Sequence, residues 1–192
     1  MHAFDYVIVL FSFVYAAAVT HVLATVGDLI LAGRRVRISW FNLGWMLSNL
    51  LSILAWWLST WELRQLRVWD SPFILFNFAM AGALYVLMRL TCPRIAPEGE
   101  VDVAAFHREQ GRKYLTATAA FGVIGLAYNA FYDLSSHGSY YLQQDIIAAP
   151  MVLAGALAAI FIRHTRVQAA CLIVVLAAWI VFFARFQGAL TG

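Results

Sequence analysis

Long apolar runs and short polar breaks alternate along the chain. The runs cover residues 6–31, 40–61, 72–90, 114–132, 146–162 and 167–184. Each is close to the ~17–25 residues that an α-helix needs to cross the hydrocarbon core of a bilayer. The pattern predicts an all-α polytopic membrane protein, a single domain over residues 1–192 with six transmembrane helices. The longest break, residues 91–113, leaves three runs on either side. Three crossings reverse the chain, so the two halves enter the membrane from opposite faces, which permits a 3+3 inverted arrangement.

The breaks sort by charge. Arg34, Arg35 and Arg37 follow the first run, Arg89, Arg94, Arg108, Arg112 and Lys113 surround the third break, and Arg163 and Arg166 fill the fifth. Only Arg64, Arg67 and Arg185 fall at the other ends. Lys and Arg collect in cytoplasmic loops, so the ten-to-three split places both termini outside, on the periplasmic face of a bacterial inner membrane. Met1 to Asp5 hold no Lys or Arg, so the positive region of a cleaved signal is missing and the first run is expected to stay as a span.

Composition sharpens this reading. The chain is 63% apolar and 12% charged, against ~45–50% and ~25% in soluble domains. Six spans use nearly all of its 192 residues, leaving no soluble domain for a separate activity. The excess of basic residues points to anionic lipid head groups, with Arg34, Arg35, Arg37, Arg108, Arg112 and Lys113 as interface anchors. Trp40 and Trp61 serve the same role as amphipathic rings at head-group depth. Trp45 is expected at the inner boundary, and Trp56, Trp57, Trp69 and Trp179 toward the outer one. Basic residues do not cluster with aromatics on a soluble face, which excludes nucleic acid as a partner. Asp102 is expected to cap a cytoplasmic extension of the fourth span over residues 102–113, with Gly111 as a bend. Cys92 and Cys171 lack ligand spacing and are read as reduced packing residues.

Polar groups within spans are costly, so they face the bundle or a water cavity. The first span places His21, Thr25 and Asp28 on one face, and the second places Ser48, Ser52 and Ser59 beside Asn49. Asn77 lies in the third, and the fourth presents Thr118, Gly122, Gly125, Asn129 and Asp133. These residues define the expected pathway or polar core: His21, Thr25, Asp28, Asn49, Ser52, Asn77, Asn129 and Asp133. His21 with Asp28 would form its inner part and Asn129 with Asp133 its outer part. The simpler role for such stripes is packing, because small residues and hydroxyls glue membrane helices together.

Catalytic signatures are absent. No H-E-x-x-H, Walker loop, G-x-S-x-G or G-x-G-x-x-G occurs. The single lysine, Lys113, lies too near the inner face for a retinal Schiff base, and one intramembrane histidine cannot ligate haem from two sides. No cofactor and no metal are expected. The run Trp40-Phe-Asn-Leu-Gly-Trp45 with Trp56-Trp57 and Trp61, after His21 and Arg34-Arg35, resembles a group of small six-span bacterial inner-membrane proteins. That resemblance implies the bacterial setting and no mechanism. Two functions follow from the residues. One is a channel or transporter for protons, cations or a small solute, lined by the polar faces of spans one, two and four. The other is a non-catalytic accessory or scaffold subunit of a larger membrane complex. Either is expected as a homo-oligomer or within a complex.

Overall fold

The computed structural model describes residues 3–65, 69–96, 98–136, 148–162 and 164–191. The side chains of residues 62, 65, 131–136 and 186–191 lie outside that description. Six α-helices carry the chain: α1 (Ala3–Ala32), α2 (Trp40–Ser59), α3 (Ser71–Thr91), α4 (Val103–Ser136), α5 (Ala148–Phe161) and α6 (Thr165–Thr191). Four of them, α1, α2, α3 and α6, are long and apolar enough to cross a membrane. The helix α5 is also apolar but has 14 residues, ~21 Å at 1.5 Å per residue. With 34 residues, α4 extends ~50 Å and so outruns a ~30 Å hydrocarbon core.

Helix starts follow local chemistry. Ser39 Oγ accepts from Asn42 N, Asp70 Oδ1 accepts from Phe73 N at 3.0 Å, and Asp102 Oδ1 accepts from Ala105 N at 2.7 Å. Each side chain satisfies an N–H that the first turn leaves without an intrahelical partner. Pro72 sits at the start of α3, where its missing N–H takes nothing from the helix. Gly33 and Gly99 adopt φ of +54° and +89°, which turn the chain sharply after α1 and before α4. Between them a two-residue parallel pair joins the inner breaks, with Val36 opposite Val101 and Arg37 opposite Asp102.

The second helix is the hub, touching α1, α3, α4 and α6. On one side Phe11, Tyr15, Ala18 and Val22 of α1 pack with Ala81, Leu84 and Met88 of α3 and with Met46 and Ile53 of α2. On the other, Trp45 and Ala55 of α2 meet Tyr114 and Ala119 of α4, Val152 and Ala156 of α5, and Val175, Trp179 and Phe182 of α6. The fully buried alanines Ala18, Ala81 and Ala156 let helices approach closely, the main source of association where lipid competes for apolar surface. The halves pack differently: α1 lies chiefly on α3, while α4 lies on α5 and α5 on α6.

Candidate functional site

Along α2, Asn42 and Asn49 are two turns apart and point to the same neighbour. Asn42 Nδ2 donates to the Thr91 carbonyl at 3.0 Å, satisfying the C-terminal end of α3. Asn49 Nδ2 donates to Thr91 Oγ1 at 3.0 Å, and Thr118 Oγ1 reaches Asn49 Oδ1 at 3.2 Å from α4. One residue earlier, on the adjoining face, Ser48 Oγ accepts from Trp179 Nε1 of α6 at 3.0 Å. Asn42, Ser48, Asn49, Thr91 and Thr118 are all buried. Four helices are thus tied to one polar seam, and α2 supplies a group to every link.

Toward the Ser59 end of α2 the seam opens into two small cavities. The first, about 60 Å³, is lined by Ser52, Trp56, Ser59, Thr118, Gly122 and Gly125 among others. The second, about 30 Å³, is lined by Trp56, Ser59, Thr60, Asn77, Tyr128 and Asn129 among others. Trp56 and Ser59 line both. A water molecule needs roughly 10–15 Å³ on this measure, so the two hold a few waters and no organic solute. Among the described residues neither lining includes a charged side chain. The glycines make the space: a Cβ on Gly122 would touch Leu153 at 3.6 Å, and one on Gly125 would touch Trp56 at 3.6 Å.

Of the residues expected in the polar core, Asn49, Ser52, Asn77 and Asn129 gather along this seam. Ser52 Oγ donates to the Ser48 carbonyl at 3.1 Å, and Asn77 Nδ2 to the Phe73 carbonyl at 3.0 Å. The first span does not join them. His21 is half-buried against α3, its Nδ1 3.4 Å from Arg89 Nη1. An arginine only donates, so Nδ1 is the acceptor there. Thr25 Oγ1 bonds the His21 carbonyl at 2.9 Å, and Asp28 is exposed. The apolar ridge Phe11, Tyr15, Ala18 and Val22 fixes how α1 docks, which leaves the His21–Asp28 face beside α3 and at the surface. The side chain of Asp133 lies outside the described residues. Trp179 and Trp45 are buried core residues rather than belt residues, because the indole of the one bonds Ser48 and the other packs on Tyr114 and Leu115. Trp57 is exposed and Trp56 turned inward against Phe121, as adjacent positions on a helix must diverge.

The opposite end, where α4 begins, holds groups that periodicity did not single out. His107 Nδ1 meets the Tyr114 hydroxyl, and His107 Nε2 lies 3.4 Å from Gln168 Oε1 of α6. Phe41 stacks on the imidazole with centroids 5.7 Å apart. Burial pushes the His107 pKa below its ordinary value, and the Arg108 charge adds to this while the Gln168 bond opposes it. The helix continues unbroken through Gly111, which also gives clearance: a Cβ there would meet His107 Nδ1 at 3.4 Å. Spacing carried the signal, since residues 107, 111 and 114 share one face of a helix.

Interface anchors are mostly exposed. Arg34, Arg35, Arg37, Arg108, Arg112 and Lys113 reach the surface, with Arg35 donating to the Gly99 carbonyl at 3.3 Å. Arg37 and Arg108 flank Asp102 at 3.6 and 3.9 Å. The Ala105 N–H, together with these two charges, holds the Asp102 carboxyl below its ordinary pKa. Trp40 and Trp61 are exposed, and Arg64 lies 4.4 Å above the Trp61 ring. Among the described residues no three His, Cys, Asp or Glu side chains converge as metal ligands. The chain matches no protein-family model, no curated protein and no solved structure.

Proposed function

We propose that this chain is a six-span bacterial inner-membrane protein that passes protons along the seam between α2 and α4. In this reading α4 and α5 cross the membrane with the other four helices, and both termini face the periplasm. The observation that supports conduction is the pair of adjoining cavities whose linings share Trp56 and Ser59 and include Ser52, Thr118, Asn77 and Asn129. Their size admits waters alone, and hydroxyls alternating with water transfer protons without moving a larger body. His21 and Asp28 play no part in this path. Purified protein in liposomes containing a pH-sensitive dye tests the reading. A potassium diffusion potential should drive acidification without uptake of sodium or glycerol. Liposomes that stay silent under imposed potentials and pH gradients would overturn it.

A second reading has its own support. Asn49, Thr91, Thr118, Ser48 and Trp179 already satisfy one another, which suits a rigid accessory subunit. Silent liposomes together with a stoichiometric membrane partner in native purification would favour that reading.

A further inference from the structure

A wide cleft lies at the end of the bundle where α4 begins, between α2, α4, α5 and α6. It encloses about 420 Å³, within the ~300–1,000 Å³ range of small-ligand sites. Its lining divides by chemistry. Arg108, Arg112, His107 and Gln168 supply the polar part, and Phe41, Leu115 and Ile160 the apolar part. Arg108 and Arg112 are one turn apart on α4, so both guanidinium groups reach the same mouth. Among the described residues no carboxylate belongs to the lining; Asp102 lies 3.9 Å from Arg108 and is shared with Arg37 at 3.6 Å. The first turn of α6 starts at Thr165 in the cleft wall and adds the positive end of a 27-residue helix.

Charge and apolar surface meet here where α4 leaves the apolar part of the bundle. A free anion would use the arginines and leave Phe41 and Ile160 wet. A neutral lipid would use the apolar wall and leave two guanidinium groups without a partner of opposite charge. We propose that this cleft binds one anionic phospholipid, its phosphate between Arg108 and Arg112 and its acyl chain along Phe41 and Ile160. Basic pockets between helices on the inner side are suited to such head groups. Lipid binding here does not require that the seam conduct.

The test uses the full-length protein in nanodiscs of phosphatidylcholine with and without phosphatidylglycerol, read by thermal unfolding and by native mass spectrometry of retained lipid. Phosphatidylglycerol should raise the unfolding temperature and remain bound at one per chain. R108Q/R112Q, which alters two exposed side chains, should weaken retention roughly tenfold or more, at ~1 kcal/mol per basic residue. R34Q/R35Q should retain lipid like the wild type, and Ile160→Trp should lose it without any change of charge. Equal losses in both arginine pairs would reduce the effect to general surface charge and overturn the site. Stabilisation by inorganic phosphate alone, unaffected by Ile160→Trp, would make it an anion site and overturn the lipid assignment.

Discussion

Asn49 illustrates how much one intramembrane amide can hold. Its two polar atoms engage Thr91 of α3 and Thr118 of α4, and it is fully buried. Interhelical hydrogen bonds in membranes average about 0.6 kcal/mol and reach about 1.7. Asn49→Leu is therefore expected to lower stability by about 1–2 kcal/mol, measured by unfolding in mixed micelles. Asp28→Asn, at an exposed position, should stay within about 0.5 kcal/mol of the wild type. His107 adds a pH dependence outside the spans. It faces the Tyr114 hydroxyl, Gln168, the Phe41 ring and Arg108, and burial disfavours its charged form. The unfolded chain takes up a proton near the ordinary value of 6.5 while the folded chain resists it. Stability should hold above pH 6.5 and fall as the pH drops through and below it. A scan of unfolding temperature against pH checks this, and His107→Gln should flatten the acid limb.

The helices themselves were legible because an apolar run of spanning length has few other readings. Helix starts at the caps Ser39 and Asp70 lie within a residue of the expected runs, whereas α6 continues about two turns past its expected end, to Thr191. The partners of each helix were not legible, because a stripe of small residues shows that a face packs and not what it packs against. Span one, with His21, Thr25 and Asp28, looked like the strongest polar face, yet its aromatic ridge carries it onto α3. Trp179 resembled a belt residue in sequence, although Ser48 awaits its indole across the bundle. Two glycines mark close approaches at this scale. A Cβ on Gly155 would collide with Val175 Cγ2, and one on Gly44 with the end of the Leu172 side chain. Valine is stiff at χ1, whereas leucine can swing its tip aside. Gly155→Ala should thus destabilise by about 1–3 kcal/mol and Gly44→Ala by less, read in the same unfolding assay.

At the scale of the molecule, α2 couples two packed cores through a seam of amides and hydroxyls. The polar faces of the second and fourth spans do converge, and this much of the site could be read from spacings of three and four. The inner cluster of His107, Tyr114 and Gln168 could not, because Gln168 comes from a helix 61 residues away. Orientation of the whole rests on the ten-to-three split of basic residues. A reporter active only in the periplasm should work when fused after Gly192 and fail when inserted at Glu98, and the reverse pattern would invert the proposed sidedness. Conduction turns on the hydroxyl of Thr118, the one residue that both bonds Asn49 and lines the larger cavity. Thr118→Val removes that hydroxyl at nearly constant shape, and Thr116→Val removes an exposed one on the same helix. The decisive measurement is proton flux into proteoliposomes for the wild type and these two variants at equal folded protein. The proposed path predicts a clear flux in the wild type and in Thr116→Val, and a loss of at least tenfold in Thr118→Val, on the order of 1.4 kcal/mol. Equal flux in all three, or none in any, would contradict it.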